Sequence, residues 1–482
     1  MADAEHVAGR PSYEDLARLV VELRAELVDA RAEIAELRAR VSASSRNSSR
    51  PPSSDGLAKK PVDDDPGEKA RRRSLRRASG KKQGGQQGHD GSRLERVAVP
   101  DWIVEHVPEC CEQCGSDLQD SEPVGGGESR QVFDIPARRV LEAVEHVAGR
   151  RRCRCGHVSA GAFPAGVSAP TVYGPRIRAA GVYLHVFQHL PYDRACQALG
   201  DLFAAVISTG TLAGWVAAAA AGLTDFDELL KDLLTHGEVC HFDETGARIA
   251  GRLGWIHSAS TQKLTRYSAH QRRGSEAIDD AGVLPVFAGV AVHDGWAPYR
   301  NYQDCEHGLC NVHHLRELQA AIDAGFFWPV AMSCLLLDTR ALVAEAVAAG
   351  HARLSPQQLQ DLADSYQAVI EAAAAEHPDP NIKGAKTKAH NLLLRLERHQ
   401  ADVLRFAHDF RTPFGNNQAE QDIRMIKLQQ KISGCWRTMK GAERFLMIRS
   451  YISTARKNGL DAIEALTQLA LSDPWLPDPT PS

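Results

Sequence analysis

The sequence predicts a multidomain α/β protein, and three observations carry that prediction. A heptad seam near the N-terminus marks a long helix that cannot bury its apolar stripe alone. Two cysteine pairs bracket strand-like residues between 97 and 160. From residue 238, short apolar strands separated by glycine-bearing turns and one helix run into acidic residues at their ends.

At 482 residues the chain has room for about three domains of roughly 150 residues each. Its 43% apolar and 24% charged residues are the ordinary composition of a globular protein. No apolar run reaches the roughly 18 residues of a membrane span, and MADAEHVAGR lacks the basic-then-apolar order of a signal segment. The expectation is a cytoplasmic protein without membrane contact, whose eleven cysteines are thiols or metal ligands rather than disulfides. The net charge of -4 hides local basic runs: residues 59–82 hold ten Lys/Arg against four acids, and residues 421–457 hold nine against two. Such runs suit contact with a polyanion.

Leu16, Val20, Leu23, Leu27, Ala30, Ile34, Leu37 and Val41 follow the a/d spacing of a heptad, which predicts a coiled coil over 12–42. A second copy of the chain is its expected partner, making the protein a homo-oligomer. Residues 43–96 (SASSRNSSRPPSSDG, then KARRRSLRRASGKKQGGQQGHDG) offer almost nothing to bury and read as a basic disordered linker, able to follow a phosphate backbone with little sequence preference.

Between 97 and 160, Cys111 and Cys114 sit in CEQCG, and Cys153 and Cys155 in CRCG. Each pair precedes a glycine, and SRQVFDIPARRVLEAVEHV between them reads as strand. Two knuckles separated by strands predict a zinc-ribbon-like finger with structural Zn²⁺ on Cys111, Cys114, Cys153 and Cys155. The second pair is one residue shorter than the usual spacing. Residues 170–235 read as helices joined by a short turn, a helix-turn-helix-like DNA-binding region with Ser208 or Thr209 as the cap of its second helix. His185 and His189, four apart on that stretch, lack the carboxylate of a metallopeptidase pattern and read as structural.

The chemical core is expected over 236–456. GEVCHFDETGARI, GRLGWIHSAS and KLTRYSAHQ form three meandering strands, GSEAIDDAG a helix, and PVFAGVAVHD a fourth strand, followed by a connection and HGLCNVHH. This order matches a ribonuclease H-like fold. Its first and fourth strands are neighbours, so Asp243 and Asp294 would lie side by side. Adjacent carboxylates repel unless a cation sits between them, and hard oxygen ligands select Mg²⁺ or Mn²⁺. A helical insertion is expected at about 315–400, and a C-terminal helix and tail at 457–482. Glu420 falls in the first turn of a later helix. If Asn417 caps that helix, Glu420 takes the reciprocal capping position. Arg424, Lys427 and Lys431 follow it as a basic stripe suited to phosphates. Trp296 and Tyr299 could stack on an unpaired base or pack in the core. Glu244, pointing away from Asp243 on an extended strand, reads as a supporting or solvent-facing residue.

HFDET, AVHDGWAPY, CNVHHLREL, FGNNQAEQDIRMIKLQQKISG and FLMIRSYISTARKNG, together with NSSRPPSSDG and GGQQGHDG, resemble bacterial transposases of the insertion-sequence-66 family over about residues 15–470. The resemblance implies a catalytic Asp-Asp-Glu triad at Asp243, Asp294 and Glu420, holding two Mg²⁺ (or Mn²⁺) ions. It also implies a Cys-x-x-His motif at Cys310 and His313 in a structural or catalytic role. The implied reaction is cleavage at insertion-sequence ends and strand transfer into target DNA. The partners would be double-stranded DNA with terminal inverted repeats, the target DNA and accessory proteins of the same element, and the location the bacterial nucleoid when DNA is bound. Gln421 departs from the arginine often found there in the family. A catalytically silent DNA-binding protein and a structure-selective nuclease are the other functions compatible with the same architecture.

Overall fold

The computed structural model describes residues 96–478 apart from 105, 107, 119, 121–128, 134–140, 156, 165 and 378–386. The predicted coiled coil (12–42) and all but the last residue of the basic linker lie outside the described residues. The described residues fall into two compact units, one within 59–140 and one from Leu141 onward.

In the first unit, Cys111 and Cys114 form a tight turn. The Gly115 amide donates to the Cys111 carbonyl at 2.8 Å, and Gly115 adopts φ +71°, a conformation glycine takes without steric cost. Gln131 brackets the backbone of Val97 through both its amide groups, at 2.8 and 2.9 Å. In the second unit, β1 (Arg150–Arg152) and β2 (Val158–Ala160) form an antiparallel hairpin whose loop carries Cys153 and Cys155. Among the described residues of the strand-like run 129–147, none joins a named strand.

A helical layer follows. Helix α1 (Pro175–Val182) runs on through a π-helical turn to Phe187, and α2 (Tyr192–Phe203), α3 (Thr209–Ala221) and α4 (Thr224–Thr235) succeed it. Ser208 caps α3, its hydroxyl accepting the Thr211 amide at 3.1 Å. Ala195, Leu199, Ala205, Ile207 and Leu212 bury the seam between α2 and α3. His185 bonds the Leu190 carbonyl through Nδ1 at 2.8 Å and stacks on Tyr192, a packing role.

The central sheet contains β3 (Val239–Ile249), β4 (Arg252–Ser260), β5 (Thr265–His270), β6 (Val290–His293) and β7 (Glu306–Leu309), in the order β5-β4-β3-β6-β7. β3, β4 and β5 are antiparallel neighbours, whereas β6 lies parallel to both β3 and β7. Helix α5 (Ser275–Ala281) links β5 to β6. This is the predicted order of strands and helix. Beyond β7 come α6 (Asn311–Asp323), α7 (Trp328–Ala348), α8 (Pro356–Ala374) and α9 (Lys388–Arg398), which build a second core around Leu336, Tyr366 and Leu396. Single turns carry the chain to His408, so this helical block is wider at both ends than the sequence suggests. The chain then returns to the sheet through α10 (Asn417–Ser433), α11 (Met439–Lys457) and α12 (Ala462–Ala470).

Both faces of the sheet are covered, which is why β3 is buried along nearly its whole length rather than alternately. On one face, α11 bonds the β5 backbone: the Thr265 amide donates to Thr454 Oγ1 at 3.1 Å and the Tyr267 amide to Ser450 Oγ at 2.9 Å. At the same strand, Arg266 pairs bidentately with Asp227 of α4, at 2.8 and 2.9 Å. No described helix is long and apolar enough to cross a membrane.

Candidate active site

Asp243 sits in the middle of β3 and Asp294 directly follows β6. The parallel register pairs His241 with Val292, so two residues further on the two aspartates are neighbours on adjacent strands. Each has one oxygen fixed by a backbone amide. Asp243 Oδ1 accepts from the Glu244 amide at 2.9 Å, and Asp294 Oδ1 accepts from the Trp296 amide at 2.9 Å. Among the described residues neither forms an ion pair. Burial, and then the nearby Glu244 and Asp294 carboxylates, push the Asp243 carboxyl up to about 7; Lys427 acts against this. A carboxylate cluster this poorly compensated fits a divalent cation, and its all-oxygen donor set fits Mg²⁺ or Mn²⁺.

Glu244 is buried on the alternate side of the pleat, so it is not solvent-facing. Arg273 Nε donates to its Oε1 at 2.9 Å, and the Tyr299 hydroxyl donates to Oε2. The Arg273 guanidinium lies over the rings of Trp296 at 4.1 Å and Trp255 at 4.8 Å. Tyr299 is 2% exposed and packs against Phe242 and His293, so its ring is closed to a nucleobase. That corrects the stacking role considered for Tyr299: the core alternative holds, because its hydroxyl is needed by a buried carboxylate. Trp296 is half-buried under Arg273.

Helix α10 covers the face of β3 that carries His241 and Asp243. The hinge of that contact is Asn416. It is buried at the start of α10, but its side chain makes no capping bond. Instead Oδ1 accepts from His241 Nδ1 at 2.7 Å and Nδ2 donates to the Phe242 carbonyl at 2.8 Å. Glu420 therefore lies one turn into a helix anchored to the residue before Asp243. The reciprocal capping role for Glu420 is absent, so its carboxylate is free for other work.

The Asn416 amide also donates to Cys310 Sγ at 3.0 Å, and the Asn311 amide to the Phe414 carbonyl at 3.0 Å. Gly415 permits this approach, since a Cβ there would meet Val312 Cγ2 at 2.7 Å. The starts of α6 and α10 are thus stapled together. Glu420 Oε1 faces His313 Nδ1 at 3.7 Å, and Arg316 Nη2 lies 3.5 Å from Oε2. Cys310 is buried, and burial pushes its thiol up to about 11. Among the described residues, Cys310, His313 and Glu420 are the one group of three or more metal-ligating side chains whose ligand atoms all lie within 4.8 Å of one another. The three predicted acids do not form so tight a group: Asp243 and Asp294 are brought together, whereas Glu420 meets His313 and Arg316.

Arg424, Lys427 and Lys431 are exposed along α10. At the cysteine knuckles, hydrogen bonds from Ser116 and then Cys111 lower the Cys114 thiol, and bonds from Cys155 lower that of Cys153. Sequence reading missed Arg273, Arg316 and the anchoring role of Asn416. Arg273 lay 29 residues from its partner in a turn, with no periodic signal. Arg316 stood in the quoted CNVHHLREL string, three residues past His313, a helical spacing that puts both on one face.

A family model described as Transposase IS66 family matches residues 170–444, more than half of the chain and the span that contains Asp243, Asp294, Cys310, His313 and Glu420. A second model, a family of unknown function (DUF6444), matches residues 8–95. None of the curated proteins matches the chain.

Proposed function

Since the chain belongs to the IS66 transposase family, we propose that it cleaves DNA at the ends of its insertion sequence and joins the freed 3′-ends to target DNA, with Asp243, Asp294 and Glu420 as its catalytic acids. The observation that carries this reading is the aspartate pair. Asp243 and Asp294 adjoin on neighbouring central strands, and the Asp243 carboxyl is held near 7 by burial and by like charge. The strand order β5-β4-β3-β6-β7, with three antiparallel strands and two parallel ones, supports a ribonuclease H-like core.

In this reading Asp243, Asp294 and Glu420 would hold two Mg²⁺ (or Mn²⁺) ions through their carboxylate oxygens. Bound ions supply activation of the attacking hydroxyl and stabilisation of the leaving oxygen. The chain's own residues position the DNA around the acids. Arg424, Lys427 and Lys431 take phosphates of the strand that lies along α10, and Trp296 offers a face to a base. Arg316 and His313 orient Glu420. No serine or tyrosine nucleophile is required, because water and then a 3′-hydroxyl attack the phosphodiester directly. Helices α2 and α3 contact DNA outside the acidic centre. The N-terminal heptads join two copies of the chain.

The test is a duplex carrying one end of the element, incubated with the protein and Mg²⁺. Cleavage followed by joined product supports the proposal. Binding without cleavage would favour a silent DNA-binding protein, and cleavage without joining a structure-selective nuclease.

A further inference from the structure

We propose that the tip of the β3–β4 hairpin and the turn between α10 and α11 form a further phosphate-binding platform, in which Arg252 and Arg437 grip the DNA duplex beyond the basic stripe of α10. The inference rests on the transposase reading and extends the DNA path from the acids to the far end of β3.

The first ground is charge. The whole chain holds 61 acids against 57 Lys/Arg, yet residues 245–262 and 423–442 together hold seven Lys/Arg and no Asp or Glu. Elsewhere, arginines around the sheet carry acidic partners, as Arg266 does in Asp227, Arg300 in Asp402 and Arg405 in Glu306. Arg252 and Arg437 are exposed, and among the described residues neither forms an ion pair. Cations gathered without acids repel one another, and a polyanion relieves that cost.

The second ground is construction. Ala250 and Gly251 take φ +51° and +77°, the left-handed pair of a two-residue hairpin turn, which sets Arg252 directly opposite Ile249. On the other edge of β3, the Ala250 amide donates to the Trp436 carbonyl at 2.8 Å and the Trp436 amide to the Arg248 carbonyl at 3.2 Å. The Trp436 ring is buried, edge-on to Phe445. Trp436, Ile249 and Arg252 therefore follow one another across the strands, and Arg437 comes directly after Trp436. Two strand spacings, roughly 10 Å, separate the two arginine backbones, so both can reach phosphates of one duplex.

The third ground is position. Facing residues of an antiparallel pair share a face, so Arg252 lies on the face of Ile249 and, six residues back along β3, of Asp243. Six strand residues span about 20 Å, the length of roughly six base pairs. Helix α10 runs beside β3 over that interval. At its start Asn416 Nδ2 donates to the Phe242 carbonyl, and near its end Gln430 Oε1 accepts the Arg248 amide at 3.3 Å. Arg424, Lys427 and Lys431 thus fill the gap between the acids and the platform.

The experiment measures the salt dependence of binding to a duplex carrying one end of the element, in chelator so that the duplex stays uncut. Wild type is compared with the double variant Arg252→Ala, Arg437→Ala and with a control, Arg353→Ala, which removes an exposed arginine between α7 and α8. The expected slope of log affinity against log salt is shallower by roughly 0.9 for each lost contact, about 1.8 in the double variant, and unchanged in the control. Hydroxyl-radical footprinting should show protection lost roughly six base pairs from the cut. Both side chains are exposed, so the circular dichroism of the double variant should match wild type. A folded double variant that keeps the wild-type slope and footprint, when wild type cleaves the same duplex in Mg²⁺, overturns the platform and leaves the transposase reading standing. A wild-type protein that does not bind the duplex overturns both.

Discussion

The side chains of Asp243 and Glu244 leave β3 in opposite directions and meet different surroundings. Glu244 enters a filled pocket in which Arg273 and Tyr299 satisfy both its oxygens, and two indole rings flank the guanidinium. Asp243 faces a second carboxylate, with one oxygen on a backbone amide and Lys427 as the nearby positive charge. Both carboxyls are raised by burial. Only Glu244 has its compensation built in. The difference separates a carboxylate that organises the fold from one whose compensation must come from a ligand, although the two are adjacent in sequence.

The largest effect that can break this comparison is on catalysis. Asp243→Asn should reduce cleavage by more than the roughly 100-fold that loss of a supporting partner of a metal ligand costs, while DNA binding in a gel-shift assay stays near wild type. A mutant that cuts at near the wild-type rate removes Asp243 from the site.

Next in size is a stability effect on the other side of the strand. Arg273→Ala leaves Glu244 buried without its cation, which costs 3–5 kcal/mol for fully buried pairs. Since Arg273 is itself part-exposed, about 2 kcal/mol is expected in denaturant unfolding. An unchanged midpoint would mean that Glu244 is not held as described.

The third effect follows from the raised carboxyl. Between about 4 and about 7 the folded state holds a proton on Asp243 that the unfolded chain has released. Without divalent ions, stability should therefore fall as pH rises through that window. Asp243→Asn should flatten the slope, with a gain of about 2 kcal/mol at neutral pH once its partial exposure is allowed for. Glu244, also raised, contributes a residual slope of the same sign. Thermal unfolding in chelator across pH 4–8 checks both.

The smallest effect belongs to the basic stripe. Replacing Arg424 or Lys431 with alanine should reduce the salt dependence of DNA binding by roughly one unit of slope each, a signature of lost phosphate contacts. Lys427→Ala should do the same, and should also move the pH profile of cleavage upward, because Lys427 holds down the Asp243 carboxyl.

Much of the sheet was legible because local signals agreed with the tertiary outcome. Strands β3 to β7 are apolar runs bounded by turns, and covering both faces left their order unambiguous. The aspartates could be found because a charge that ends an apolar strand needs a reason. What could not be read was how residues far apart in sequence meet. Asn416 is separated from His241 by 175 residues and Cys310 from Asn416 by 106, and no periodicity spans such gaps. Tyr299 was ambiguous for a related reason. An aromatic five residues past an acid looks the same whether it faces a base or a buried glutamate, and only the closure of α5 and β6 around it decides.

Manganese uptake, followed by electron paramagnetic resonance on the full chain, tests the central claim most directly. The account predicts tight Mn²⁺ binding in wild type and in Glu244→Gln, and its loss in both Asp243→Asn and Asp294→Asn. Equal binding by wild type and Asp243→Asn, or equal loss in Glu244→Gln, would contradict it.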